Sequence, residues 1–343
     1  MHAAVVSPTH PRTVLPGLAL AAVLAMAALL LGRWLPLIGG PVFGMVLGLL
    51  LRSVLAPGAR FAPGIAFAST TVLQASVILL GFGLSLDQVV ATGLRSLSVT
   101  VVTLSVAFFS AWTLGRWLGV HDKLKILVGV GTAICGASAI AAVTPIIQPD
   151  EHDTAYAITT IFLFNIVAVL LFPLLGHLLH MSDPGFGLWA GTAINDTSSV
   201  VAAGYSFSKA AGDYATIVKL TRATLIIPVC LVLALVAAIR ARRQRQLDGS
   251  TRQFSLRRIF PWFILGFLLA SAVRTAGLIP TLIQPDLHMA AEFLIVVALA
   301  AIGLSANLRR MIASGPRPIL LGLGVWIAVA SASLLMQWVI GQL

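Results

Sequence analysis

Apolar runs of about 20 residues recur along the whole chain, and no stretch between them is long enough for a soluble domain. As helix, each run reaches across a hydrocarbon core of about 30 Å. The runs fall at roughly 14–31, 36–52, 66–86, 94–118, 124–147, 153–176, 185–207, 213–239, 259–278, 289–310 and 317–341. Only 10% of the residues are charged and the mean hydropathy is +1.00. A water-facing surface needs about 25% charged residues. The expected fold is therefore an all-α polytopic membrane protein of about eleven hydrophobic segments, forming a single integral membrane domain over residues 1–343. The first run follows Arg12 and contains Ala25-Met26-Ala27, which resembles a signal-peptide cleavage site. It continues through Leu31 straight into the next run, so an uncleaved first helix is expected.

The net charge of +11 does not indicate a nucleic-acid partner, because the charges sit between the apolar runs. Lys and Arg accumulate in cytoplasmic loops. With all segments crossing and the N-terminus inside, Arg12, Arg52, Arg60, Arg116, Lys123, Lys125, the series Arg240–Arg258, Arg309, Arg310 and Arg317 lie inside. Arg33, Arg95, Lys209 and Arg274 lie outside. That is 16 of 22 basic residues against four, and it places the C-terminus in the periplasm of a bacterial inner-membrane protein. Lys219 and Arg222 are left within a span. Cys135 and Cys230 lie inside apolar runs, which indicates neither a disulfide framework nor a metal cluster.

Two echoes mark internal repeats, expected over 36–176 and 185–341. Gly131-Thr132-Ala133-Ile134-Cys135-Gly136-Ala137-Ser138 returns as Gly191-Thr192-Ala193-Ile194-Asn195-Asp196-Thr197-Ser198, and Gly83-Leu84-Ser85 returns as Gly303-Leu304-Ser305. The outer echo pairs segment 3 with 10 and segment 4 with 11; the odd offset makes these inverted repeats. The inner echo pairs segment 5 with 7, parallel if both span and inverted if both re-enter. Charge bias leaves this open, since only loops free of Lys and Arg would change sides.

Both inner motifs place Gly, Thr, Ser or Asn in mid-segment, where an uninterrupted helix prefers Leu and Ala. Irregular backbone at membrane depth survives only when buried in protein or lining a wet cavity. Broken helices there present N-termini to anions and free carbonyls to cations. Close packing of small residues is the competing reading. It accounts for Gly44-x-x-x-Gly48 and Gly115-x-x-x-Gly119, but poorly for a duplicated motif bearing Asn195 and Asp196. Asp196 is an acid well inside a segment, a costly position that points to a cavity or a partner. Lys219 and Arg222, spaced i,i+3 on one helix face, are its nearest basic candidates. Asn165 is a second candidate for site lining, whereas Asp87, Glu292 and Asn307 sit at segment ends where water reaches them. His177 and His180 lack a carboxylate co-ligand, and no segment interior holds a His, so neither a metal site nor a Ser–His–acid enzyme is expected.

The stretches GTAICGASAIAAVTP (131–145), GLWAGTAINDTSSVVAAGY (187–205) and DYATIVKLTRATLIIPV (213–229) closely resemble a bacterial family named for sulfate export, a group of largely uncharacterised membrane proteins. The resemblance runs from about Pro36 to the C-terminus. More remotely, a Gly-Leu-Ser helix end followed by a Gly/Ser-broken helix is similar to the bile acid:sodium symporters and to the cation:proton antiporter and anion transporter superfamily. That similarity implies a panel domain and a core domain with crossed broken helices, although here the second broken motif precedes its Gly-Leu-Ser partner. The resulting expectation is a secondary transporter exporting a small anion: sulfate, sulfite, a sulfonate or an organic anion. Thr132, Ser138, Thr192, Asn195 and Ser198 would bind it, Lys219 or Arg222 would add positive charge, and Asp196 would couple to H⁺ or Na⁺. No cofactor is expected; the partners are the anion, the coupling ion, the lipid bilayer and a second copy of the chain in a homodimer. The alternatives are a cation:proton antiporter, with Asp196 carrying the ion, and a non-transporting membrane scaffold or regulatory subunit, which has no need of broken helices.

Overall fold

The computed structural model describes residues 11–35, 39–55, 58–244, 262–280, 283–306 and 316–342. Every regular element among them is helical. The chain forms α1 (Pro11–Trp34), α2 (Gly39–Leu55), then α3 (Ala62–Phe67) and α4 (Leu73–Gly81), which continue one another through a π-helical turn at Ala68–Val72. It proceeds through α5 (Leu86–Trp117), α6 (Asp122–Ala133), α7 (Ala137–Ile147), α8 (Glu151–Leu178), α9 (Asp183–Ala193) and α10 (Thr197–Phe207). The remainder is α11 (Lys209–Thr224), α12 (Ile226–Gln244), α13 (Trp262–Thr275), α14 (Gln284–Ser305) and α15 (Pro316–Val339). Each of the eleven apolar runs corresponds to a helix or a helix pair. Seven of the described helices or continuous pairs are long and apolar enough to cross a membrane. Of the basic positions used for orientation, Arg245–Arg258, Arg309 and Arg310 lie outside the described residues, as does Asn307.

Two groups of helices pack within themselves. In one, α1, α2, α3–α4 and α14 share a core containing Ala21, Ala25, Ile65, Val72 and Val296, and α13 packs on α4. In the other, α5 to α12 gather with α15, where Phe172, Trp189 and Trp326 stack between α8, α9 and α15. Gly44 and Gly48 work as small-residue contacts: a Cβ on Gly48 would stand 2.2 Å from the Ala300 carbonyl oxygen, so α2 and α14 meet backbone to backbone. Gly115-x-x-x-Gly119 does not. Gly115 accommodates the stem of Lys125, and Gly119 has φ +64° in the turn after α5 with open space around it.

The segments at 124–147 and 185–207 each fold back on themselves, the geometry of a re-entrant hairpin. Lys123 Nζ at the start of α6 donates to the Gln148 carbonyl just past α7, at 2.7 Å. Ser208 Oγ just past α10 donates to Asp183 Oδ1 at the start of α9, at 2.6 Å. Each pair of half-helices is thus a hairpin with its ends tied together. The hairpins enter from opposite ends of the bundle, since α8 runs from one mouth to the other. His121, before α6, meets Asp153 at the start of α8 (3.3 Å), whereas His177 at its end stacks on Phe207 at the end of α10. Cysteines placed at Lys123 and Gln148 should therefore label from one face of the membrane, and cysteines at Asp183 and Ser208 from the other. Labelling of Lys123 and Gln148 from opposite faces of intact and inverted vesicles would show a spanning segment instead.

Candidate functional site

The hairpin tips are where the helices break. The irregular stretches are narrower than the motifs: Gly131–Ala133 and Gly191–Ala193 are helical, and only Ile134–Gly136 and Ile194–Asp196 depart from helix. Gly136 sits at φ +68°, ψ −130°, a conformation open to glycine and strained for any residue with a side chain. It also faces the other tip, since a Cβ there would lie 3.4 Å from Asp196 Cβ. Pro145 lies inside α7, which continues to Ile147.

Four carbonyls at a helix C-terminus lack intrahelical partners, and hydrocarbon offers no water to replace them. Here α6 and α9 both end in the middle of the bundle, and α11 supplies what they lack. Lys219 Nζ donates to the Ile134 carbonyl at 2.7 Å and to the Ile194 carbonyl at 2.9 Å, one on each tip. Arg222 donates through Nε to the Ala133 carbonyl, through Nη1 to the Thr192 carbonyl, and through Nη2 to the Thr132 carbonyl at 2.6 Å. Both side chains are wholly buried. They also face the negative ends of two half-helix dipoles, about half a charge each. Small residues let α11 approach: a Cβ on Gly191 would stand 3.0 Å from the Ala215 carbonyl oxygen, and one on Gly204 2.8 Å from Gly212 Cα.

With the C-terminal ends of α6 and α9 closed, the N-terminal ends of α7 and α10 point the other way, into a cavity of about 510 Å³. One wall comes from the hairpin group: Ala137, Ser138, Asp196, Thr197 and Ser198 at the two N-termini, with Thr159 and Phe162 of α8. The opposite wall comes from the other group: Ser69, Thr70, Leu73, Gln74 and Val77 along the π-turn and α4, with Phe263, Ile302, Ser305 and Ala306. Gly136 offers α7 no side-chain cap, and Ala137 and Ser138 of its first turn line the cavity. Asp196 caps α10, its Oδ2 accepting from the Ser198 amide at 3.1 Å and from the Ser198 hydroxyl, while its own amide donates to Asn165 Oδ1 at 3.2 Å. It is the one ionisable side chain among the described lining residues.

The sequence candidates therefore divide. Ser138, Asp196 and Ser198 line the cavity. Thr132 and Thr192 contribute carbonyls to Arg222, and the Thr192 hydroxyl turns away to Ser333 Oγ on α15 at 2.7 Å. Asn195 is buried off the cavity, its side-chain oxygen without a partner. Lys219 and Arg222 lie behind the tips as carbonyl partners, and Asn165 supports the Asp196 backbone. Ser69, Thr70, Gln74, Thr159, Thr197 and Ser305 were not among the sequence candidates; Thr197 carried a signal as part of the second inner motif, and Ser305 as the end of the second Gly-Leu-Ser. At the far end of the bundle the two groups meet through a polar cluster. There the Tyr205 hydroxyl donates to Asp213, the Tyr205 ring lies 6.1 Å from that of His288, and His288 pairs with Glu292 at 2.9 Å. Glu292 is thus half of a side-chain pair as well as a water-reached segment end.

Replacing Arg222 with Met leaves three buried carbonyls unpaired, at about 1–3 kcal/mol each. Arg222→Met and Lys219→Met should both lower the unfolding temperature of the detergent-purified protein by several degrees, and Gly136→Ala should do the same through backbone strain. Unchanged melting of all three would show that the tips do not depend on these contacts.

A family model described as conserved hypothetical protein 698 matches residues 16–322. A UPF0324 membrane protein of Streptococcus pyogenes serotype M18 is 45% identical over 340 residues, covering 97% of this chain and 99% of the relative. UPF0324 membrane proteins of Fusobacterium nucleatum and Clostridium tetani are 41% and 40% identical, covering 95% of this chain and 98% and 97% of the relatives.

Proposed function

The chain belongs to the conserved hypothetical protein 698 family, the uncharacterised membrane proteins that its GTAI motifs resemble, and on that premise we propose that it is a secondary transporter for a small anion. The observation that carries this reading is the polarity of the crossing. Both carbonyl ends are taken up by Lys219 and Arg222, so the half-helix ends left to a ligand are the two N-termini. An N-terminus carries roughly half a positive charge and amides aimed outward, so two of them facing one cavity favour an anion. The hydroxyls of Ser138, Thr159 and Thr197 add donors. Lys219 and Arg222 act on the anion at a distance, by cancelling the negative ends of α6 and α9.

Asp196 gives the site its coupling. An anion beside a carboxylate is repelled unless the carboxylate carries a proton, so anion binding takes up H⁺. The same carboxylate is the observation that favours the alternative, a cation:proton antiporter; against it, the tip carbonyls that would help ligate a cation are already hydrogen-bonded to Lys219 and Arg222. The cavity lies toward one end of the bundle: its lining includes the second residue of α13, the last residue of α14 and residues in the first half of α8. This is the end that the basic loops assign to the cytoplasm, so in this conformation the anion exchanges with the inside, and net direction is set by the anion and proton gradients. Release requires the Tyr205–Asp213 and His288–Glu292 cluster at the other end to part, opening the groups there as they close at the cavity.

The test is anion flux in proteoliposomes under an imposed pH gradient. Wild-type flux of radiolabelled anion should accelerate when protons and anion are supplied on the same side. Asp196→Asn should keep anion exchange but lose the response to the gradient. Retention of that response in a well-folded Asp196→Asn protein would remove the coupling role, and ²²Na⁺ or ⁸⁶Rb⁺ flux abolished by Asp196→Asn, with no anion flux, would establish the cation reading.

A further inference from the structure

The cavity is large for a bare oxyanion, and its two walls differ in what they can donate. Its volume of about 510 Å³ lies within the range of about 300–1,000 Å³ typical of small organic ligands. One water takes about 30 Å³ of liquid, so an ion of five heavy atoms would leave most of the space to solvent. On the α4–α13–α14 side the hydroxyl protons are already committed to their own helices. Ser69 and Thr70 both donate to the Ala66 carbonyl, at 3.1 and 2.7 Å, and Ser305 donates to the Ala301 carbonyl at 2.9 Å. Those oxygens offer a ligand only lone pairs, which repel an anion. The Gln74 amide is the remaining polar side chain of that wall, and the rest is Leu73, Val77, Phe263, Ile302 and Ala306. On the hairpin side, the hydroxyls of Ser138, Thr159 and Thr197 have no partner among the described residues, and Gly136 places no side-chain cap over Ala137 and Ser138 at the start of α7.

We infer that the transported anion is a one-ended amphiphile: a compact anionic head, sulfonate or carboxylate, carrying an apolar body of several carbons. The head lies on the two helix N-termini beside Asp196, and the body lies against Leu73, Val77, Phe263 and Ile302. This rests on the anion-transporter reading and narrows it, because inorganic sulfate uses the head subsite alone.

The experiment is competition against radiolabelled butanesulfonate in proteoliposomes containing the full chain, using sulfate and the linear alkanesulfonates from methane- to octanesulfonate. Affinity should rise by about three- to fourfold for each CH₂ that enters the apolar wall, and level off once the body fills the cavity. Phe263→Ala should flatten this dependence on chain length, with Val77→Ser as a second variant should the first fold poorly. Ser138→Ala should weaken every member of the series by a similar factor and leave the slope unchanged. Sulfate binding as tightly as butanesulfonate, with no dependence on chain length, would overturn the amphiphile while leaving an anion transporter standing. No flux or competition by any anion would overturn both.

Discussion

Two buried cations on one turn of α11 hold the centre of this protein together. A helix that stops in mid-membrane strands its last carbonyls where no water can reach them. This fold stops two such helices at one place, facing each other, so the stranded groups and the negative dipole ends add. Lys219 reaches one carbonyl on each tip, and Arg222 uses its fork to bind two carbonyls of α6 and one of α9. A bridge of this kind fixes the two hairpins relative to each other as well as neutralising them. Removing either side chain thus threatens the crossing itself. The close contacts of Gly187 and Gly191 with α11 follow from the same need, since a bulkier α9 would hold the two cations out of reach.

That closure gives the crossing a direction. Because the C-terminal ends are consumed inside the helix group, whatever lies in front of the tips meets only N-termini. The wall across from them comes from a different helix group, joined to the first along α2–α10, α10–α14 and α5–α13 and through a continuous apolar core in which Met45, Val77 and Leu299 cluster with Ile140 and Val201. Movement of one group past the other has to repack side chains along that seam, a sliding of packed helices. Nothing comparable holds within the hairpin group, where Phe172, Trp189 and Trp326 lock α8, α9 and α15.

The sequence showed the eleven segments plainly, because hydropathy at membrane length is set by the solvent and tertiary packing hardly alters it. It also marked the two breaks, since a continuous apolar helix has no use for a repeated polar motif at its centre. What it left open was whether those segments turn back. The deciding contacts, Lys123 to Gln148 and Ser208 to Asp183, are tertiary, and the loops that change sides carry no basic residue to betray them. The basic pair was legible as buried and coupled to the motifs, but its partners are backbone carbonyls, which no side-chain pattern reveals. Gly115-x-x-x-Gly119 imitated a packing motif because spacing alone does not separate a helix contact from a turn glycine. Ser69, Thr70 and Thr159 were invisible for a related reason. Small hydroxyl residues are common in membrane helices, and only the cavity distinguishes these from Thr113 or Ser105, which bond back to their own helices elsewhere.

Asp196 is where stability and the proposed transport meet. As the N-cap of α10 it accepts from Ser198 and so occupies part of the positive end that would otherwise be offered to a ligand. In the proposed transport a bound anion competes for the same amides and repels the cap, and the proton taken up with it would return the Ser198 amide to the ligand. The start of α7 beside it differs in kind, because its cap position is Gly136, which has no side chain to withdraw. In the proposed transport the two tips, related in sequence, divide the work: the α7 end donates to the anion in every state, and the α10 end donates once Asp196 takes up a proton.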